Sequence, residues 1–212
     1  MREPAPSVPR GRHAPPPEVR HSRQRERLLT AAARVFARQG YADGSAEGIA
    51  REAGMSKATF YEHFANKERC ILALWDHAAE LILTAMRDAA REAGDDPAER
   101  IRAGTRAFLR TLAGHPDEAR TLLVQIIGAG PEAIRRRDGI VQAFAEVLDQ
   151  ENARAAASGE FPRFGSRHDA VAVVGAIVEL ASRQVRLGEP PDVRELEPVI
   201  ERLIFGLAAQ SA

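Results

Sequence analysis

The segment from Ile49 to Phe60 has the residue spacing of a helix-turn-helix. Ala50 is small enough for two helices to cross closely, and Gly54 follows it where the turn favours a positive φ. Phe60 lies beyond the turn and can fill the space between the two helices. In such a unit the helices are held at a steep angle, so that the second one projects into the major groove of DNA. The spacing therefore indicates recognition of a DNA duplex.

Other patterns in the chain suggest catalytic or redox chemistry, but their context is wrong. Residues 128–133 match G-x-G-x-x-A, a dinucleotide-binding pattern that requires a preceding strand, whereas the residues before them continue a helical pattern. His77 and Glu80 share a helix face, yet a di-iron bundle needs two Glu-x-x-His motifs. No activated serine motif is present, and Cys70 is expected to be a half-buried small residue. We therefore expect no enzyme activity, no cofactor and no metal site.

The charge of the chain is distributed unevenly, although its formal net charge is zero. Residues 1–70 carry 13 positive and 8 negative charges, a net of +5, whereas residues 71–212 carry 17 and 22, a net of −5. A basic amino-terminal third suits a DNA-binding domain joined to a domain that does not contact DNA. There is no apolar run long enough to span a bilayer and no secretory signal, so we expect a cytoplasmic protein without a membrane partner.

Helical periodicity and helix-breaking residues predict an all-α protein with nine helices and no strand. Aromatic residues are few, at 5%, which also favours helix over sheet. Residues 1–20 are rich in proline and arginine and are predicted to be a disordered basic tail. The nine predicted helices cover approximately residues 22–40, 46–53, 57–64, 67–94, 97–113, 117–127, 132–157, 168–187 and 193–209.

The run from Gly40 to Glu68, which includes IAREAGMSKATFYEHFANKE, closely resembles the amino-terminal domain of the TetR/AcrR family of transcriptional regulators. The resemblance is strong from about Arg25 to Leu74, and beyond that it rests on the number and length of the helices. It implies a helix-turn-helix domain over residues 21–66 and a helical dimerisation and ligand-binding domain over residues 67–212. Gly48 departs from the family, which usually has a larger residue at that position.

The resemblance also implies which residues contact DNA. Lys57, Ala58, Thr59 and Tyr61 match positions on the recognition helix or at its start, and Tyr61 and His63 match positions that meet the sugar-phosphate backbone. The complete set of expected DNA-binding residues is Ser45, Ser56, Lys57, Ala58, Thr59, Tyr61, His63 and Lys67. Lys67 matches a phosphate-contacting lysine, and Ser45 a helix cap that often contacts phosphate. The arginines between residues 20 and 27 either enter a minor groove or only add nonspecific attraction.

The eighth and ninth predicted helices are apolar on more than one side, as expected of helices buried on two faces. The resemblance implies that these two helices pair with those of a second copy to form a four-helix dimer interface. The expected interface residues are Val174, Ile177, Val178, Val199 and Leu203.

Helices four to eight would enclose a ligand pocket in such a regulator. The candidate lining residues are Phe108, Leu112, Gln125, Phe144, Glu179 and Arg183, although each of them is equally suited to an ordinary core or interface position. The sequence thus predicts a homodimeric repressor that a small-molecule effector releases from a palindromic operator in double-stranded DNA. The alternative is a DNA-binding protein of the same fold that has no small-molecule inducer and is controlled by a protein partner.

Overall fold

A computed structural model describes residues 16–125, 129–159 and 161–209 of the chain. Within these ranges the chain forms nine α-helices and no strand, which confirms the predicted all-α architecture. None of the described helices combines the length and the apolar character needed to cross a membrane. In chain order the helices are α1 (Pro17–Asp43), α2 (Ala46–Glu52), α3 (Lys57–His63), α4 (Lys67–Glu92), α5 (Pro97–Gly114), α6 (Pro116–Leu123), α7 (Pro131–Ala157), α8 (Arg167–Leu187) and α9 (Glu197–Ala209).

Side-chain caps fix the starts of several helices where the sequence predicts them. The side chains of Ser45, Ser56 and Asn66 accept backbone N–H groups from the first turns of α2, α3 and α4 at 3.0, 3.0 and 2.8 Å. Asp96 does the same at the start of α5. These bonds satisfy amide groups that have no partner inside the helix.

Helix α1 begins earlier than the sequence predicts. Pro17 occupies its first turn, where the missing N–H of proline costs nothing, and the backbone N–H of Arg20 donates to the carbonyl of Pro16 at 3.0 Å. Residues 17–20 are therefore helical, which corrects their assignment to the disordered tail. The rest of that tail, residues 1–15, lies outside the described residues.

The end of α1 contains the break that Gly40 predicts. Gly40 has φ 80° and ψ 166°, a backbone conformation that favours glycine, and the chain resumes a short helical turn up to Asp43. The sixth helix ends at Leu123, whereas the sequence predicts an end near residue 127. Residues 126–128 lie outside the described ranges. The segment Val193–Leu196 forms a 3-10 turn before α9, where the sequence predicts a continuous helix.

The core is continuous from the amino-terminal helices into the body. Leu28 and Phe36 of α1, Ile49 of α2 and Phe60 of α3 are completely buried together with Ile71 near the start of α4. Helix α4 then extends into the body, where it packs along α5, and α6 packs against both α1 and α8. Helix α1, against which α2 packs, is thereby fixed to α4 and α6.

Helix α8 has a buried face and an exposed face. Val174 on the buried face is only 7% exposed and lines an internal cavity together with Ile177 and Val178. Burial of Val174 in its own protomer does not favour a contact with a second copy, whereas Ile177 and Val178 are half-buried, and the role of these residues in an interface stays a prediction. The exposed face along the middle of α8 includes Ala172, Gly175, Glu179 and Arg183. On α9, Val199 and Leu203 are half-buried, and their role in an interface stays a prediction.

Candidate DNA-binding surface and ligand cavity

The turn between α2 and α3 has the geometry of a helix-turn-helix. Gly54 adopts φ 64° in this turn, and the backbone N–H of Met55 donates to the carbonyl of Ala50 at 2.8 Å. Arg27 of α1 donates to the carbonyl of Ala53 at 2.7 Å, which fixes the turn to the first helix. Ala50 and Phe60 are buried, as their spacing predicts. These contacts hold α3 with one face in the core and the other facing solvent.

The solvent-facing side of α3 presents most of the residues expected to contact bases. Lys57 and Ala58 are exposed, and Tyr61 is 50% exposed with its ring edge-on to buried Phe60. Thr59 is half-buried, and its hydroxyl lies 2.9 Å from that of Ser56. A tyrosine and a lysine that project from the same short helix can reach base edges and phosphates. Their contacts with DNA stay a prediction.

Lys67 contacts protein groups rather than facing outward. Its ammonium group donates to the carbonyls of Tyr41, Ala42 and Gly44 at 2.9, 2.9 and 3.1 Å, and it lies 4.6 Å from the centre of the Tyr41 ring. The three N–H donors of the ammonium are thus used on the end of α1. In the free chain Lys67 therefore helps to position the helix-turn-helix, and its contact with phosphate stays a prediction.

His63 faces α1 and not the outer surface of α3. Its ring lies 4.1 Å from that of His21, on the early turns of α1, and both of its ring nitrogens are buried without a hydrogen-bond partner in the described chain. Burial lowers the pKa of His63, and His21 and Arg25 lower it further. In the free chain the ring of His63 packs towards α1, and its expected contact with the sugar-phosphate backbone stays a prediction.

The arginines between residues 20 and 27 divide into two pairs. Arg25 stacks over the ring of Phe64 at 4.7 Å, while Arg27 donates to the carbonyl of Ala53 in the turn between α2 and α3. Arg20 and Arg23 are exposed and form no ion pair with any described residue. They extend the basic surface along the start of α1.

Cys70 is buried at the start of α4, and burial raises the pKa of its thiol to about 12. The thiol therefore stays protonated and unreactive, as expected of a core residue.

An internal cavity of about 380 Å³ lies between α4, α5, α7, α8 and α9. Phe108 and Phe144 line it, as the sequence predicts, with their ring centres 6.4 Å apart. Its volume lies within the range of roughly 300–1,000 Å³ that is usual for ligand pockets. Leu122 and Leu123 add the end of α6 to its wall.

The other residues expected in the pocket lie elsewhere. Leu112 belongs to the core, Glu179 is exposed and pairs with Arg186 at 2.8 Å, and Arg183 is exposed. Gln125 follows α6, and its side-chain oxygen accepts the backbone N–H of Tyr41 at 3.2 Å. None of these four residues lines the cavity: Leu112 packs into the core, and the three polar side chains face solvent or another helix.

Several lining residues are absent from the candidates drawn from the sequence. They include Trp75, Ile82 and Met86 of α4 and Ile101 and Thr105 of α5. Their helical spacing indicates a common apolar face on each helix, but the same pattern describes a fully packed core.

Comparison with known proteins gives the same assignment. Residues 28–74 match the profile of the bacterial regulatory proteins of the tetR family. The regulator EthR of Mycolicibacterium smegmatis is 28% identical over 73% of this chain and 72% of its own length. The chain carries a helix-turn-helix domain of the TetR family. It is therefore a DNA-binding transcriptional regulator, and this relationship confirms the expectation that it is not an enzyme.

Solved structures share the fold of this chain. The regulator FadR from Bacillus subtilis, in complex with stearoyl-CoA, superposes with a TM-score of 0.76 at 20% identity, covering 86% of this chain and 98% of FadR. The regulator AibR, in complex with isovaleryl coenzyme A and operator DNA, superposes with a TM-score of 0.66 at 19% identity, covering 86% of this chain and 98% of AibR.

The structure predicts different roles for the two lysines of the chain. Replacing Lys67 by Met removes three donors and leaves the carbonyls at the end of α1 without their partner. We expect the free energy of unfolding to fall by about 1–3 kcal/mol, measured by urea denaturation. Lys57→Met is the matched control, because Lys57 is exposed, and it should change stability by less than about 0.5 kcal/mol. Equal stability of Lys67→Met and wild type would contradict the positioning role.

Proposed function

We propose that this TetR-family regulator is a homodimeric repressor that a small molecule, bound in the cavity, releases from a palindromic operator. The observation that carries the proposal is the path from the cavity wall to the helix-turn-helix through α6. The following contacts support each part of it.

Helix α6 contributes both to the cavity and to the support of α1. Leu122 and Leu123 line the cavity, and the hydroxyl of Thr121, one residue earlier, lies 3.4 Å from the carbonyl of Ala33 in α1. On the other side, the hydroxyl of Ser182 in α8 donates to the carbonyl of Leu123 at 3.2 Å. A ligand that displaces the end of α6 would therefore act on α1 directly.

Gln125 extends this path to the break in α1. Its side-chain oxygen accepts the N–H of Tyr41, directly after Gly40, and the carbonyl of Tyr41 in turn accepts from Lys67. A ligand favours whichever conformation it binds better. If that conformation displaces α6, the contact at Tyr41 changes and the spacing of two recognition helices changes with it. Operator binding and ligand binding would then oppose each other.

The two ligand-bound relatives support a small-molecule effector over control by a protein partner. FadR holds stearoyl-CoA, and AibR is seen with both isovaleryl coenzyme A and operator DNA. The cavity of the present chain lies in the shared fold and is large enough for a ligand. We propose that it serves as the effector site.

The exposed face of α8 and α9 supports a dimer. It combines residues with small or absent side chains, and its members include Ala172, Gly175, Gly206 and Ala209. Small side chains allow helices of two copies to approach closely. Such a dimer would place two recognition helices on successive major grooves, as reading a palindrome requires.

The first test concerns DNA binding. Operator duplexes would be selected from a random pool, and affinity would be measured by fluorescence anisotropy at several salt concentrations. We expect Tyr61→Ala to weaken operator binding, and Lys57→Gln to weaken it and to reduce the salt slope by about one unit. Arg110→Gln, an exposed change on α5, is the control and should have no effect. Unchanged affinity in both α3 variants would refute the assignment of α3 as the recognition helix.

The second test concerns assembly. A Cβ at Gly175 or Gly206 would have no other atom within 4 Å, so Gly175→Glu and Gly206→Glu fit the isolated protomer. In a close dimer each would bury a charge, and we expect monomers by light scattering at micromolar concentration. Gly139→Glu on α7 is the matched control, with the same open surroundings, and should stay dimeric. A monomeric wild type would exclude the dimer.

The third test concerns coupling. Gln125→Ala removes the acceptor for the Tyr41 N–H but no residue of the cavity wall. For an acyl-coenzyme A that stabilises the protein in a thermal-shift screen, we expect ligand affinity to be retained while its effect on operator affinity falls. Gln142→Ala, an exposed change on α7, is the control. An unaltered response in Gln125→Ala would show that the signal takes another route.

A further inference from the structure

We propose that the effector is an amphipathic anion, with an apolar chain inside the cavity and an anionic head group held by arginines at its rim. This inference rests on the proposed function and names the ligand class of the same site.

Arginines dominate the rim of the cavity. Of the described residues that line it, only Arg87, Arg91, Gln150 and Arg154 are exposed, whereas the others are buried or half-buried. The opening to solvent therefore lies where the last turns of α4 and α7 face each other. Three of the four side chains at this opening carry a guanidinium group, which binds carboxylate and phosphate oxygens in a planar, two-pronged geometry.

The charge of this rim is not neutralised within the described chain. Arg87 forms no hydrogen bond or ion pair with any described residue, and Arg91 pairs only with Asp88, at 2.7 Å on the surface. A surface pair of this kind contributes little and exchanges readily. Both guanidinium groups of α4 are therefore available to a ligand.

The third arginine of the rim, Arg154, pairs with a carboxylate that also binds Arg100. Arg154 lies 2.5 Å from Glu151, but Arg100 already binds Glu151 through two hydrogen bonds of 2.9 and 3.1 Å. Glu151 is the only carboxylate among the described lining residues, whereas five arginines line the cavity. The site thus retains a positive charge, even though residues 71–212 are acidic overall. A local excess of positive charge attracts anions to the opening of the cavity.

The interior of the cavity is apolar and therefore favours an apolar part of the ligand. Its buried wall consists of apolar side chains such as Ile82, Ile101, Phe108 and Val174, with the hydroxyl of Thr105 as a polar exception. Burying an unpaired charge there would be costly, so a charged group has to stay at the rim while an apolar chain enters. At roughly 30 Å³ for each non-hydrogen atom, the cavity holds a chain of about twelve such atoms. The cavity therefore fits an apolar ligand chain of medium length.

Trp75 provides a direct measurement of binding, because it lines the cavity and is the only tryptophan of the chain. The full-length protein would be titrated with decanoate, decanol and decylamine, below their micelle concentrations, while Trp75 fluorescence is recorded. The three probes share a chain length and differ in the charge of the head group. We expect decanoate to bind at least about tenfold more tightly than decanol, and decylamine to bind most weakly. Added salt should reduce the advantage of decanoate.

Variants at the rim test the role of the arginines. Arg87→Gln should reduce the ratio of decanoate to decanol affinity without affecting folding, since Arg87 has no partner in the described chain. The triple variant Arg87→Gln, Arg91→Gln, Arg154→Gln should bring that ratio close to one and leave decanol binding unchanged. Arg110→Gln, exposed on the same body but outside the cavity, is the matched control.

Two outcomes would overturn the inference: equal or tighter binding of decanol or decylamine in the wild type, or no binding of any probe. The operator complex separates this inference from the proposed function. Decanoate that binds with the expected preference but leaves operator affinity unchanged would support the ligand class and refute release by the cavity ligand. Release by a neutral ligand without a preference for anions would support the proposed function and refute the ligand class.

Discussion

The ammonium group of Lys67 holds the end of α1 against the start of α4, and the orientation of the DNA-binding helices depends on this contact. The backbone of Gly40 turns the chain so that three carbonyls converge on one cation. Carbonyls at a helix end lack partners inside the helix, and a positive charge is favourable there. The same helix α4 that carries Lys67 contributes Trp75 to the cavity wall, so one rigid element is common to both sites.

The parts of the fold that depend on local interactions could be predicted from the sequence. Ser45, Ser56 and Asn66 cap their helices because a short polar side chain reaches the next turn regardless of the rest of the molecule. Gly54 lies in a turn that needs a left-handed backbone, and the burial of Phe60 follows from its spacing on α3. The helix-turn-helix is built from such local features, which explains why its geometry agrees with the sequence analysis.

The cavity and the outward face of α8 could not be predicted in the same way. Helix α8 is apolar on several sides, so periodicity does not distinguish the side of Val174, which faces the cavity, from the side of Gly175, which faces solvent. The surroundings of Gln125 and Lys67 depend on residues far away in the chain, such as Tyr41. A pattern of residues gives the direction of a side chain on its own helix, but not the partner that it meets.

Helix α6 is short, and its last four positions are already engaged. Thr121 contacts α1, the Leu123 carbonyl binds α8, Arg120 donates to the carbonyl of Val185, and Leu122 faces the cavity. A substitution on this helix therefore alters several properties at once. Under the proposed function, altered effector specificity should arise more readily, in evolution or in biosensor engineering, through the walls formed by α5 and α7. There a side chain such as Val147 can change size without disturbing the contacts that hold the helix-turn-helix in place.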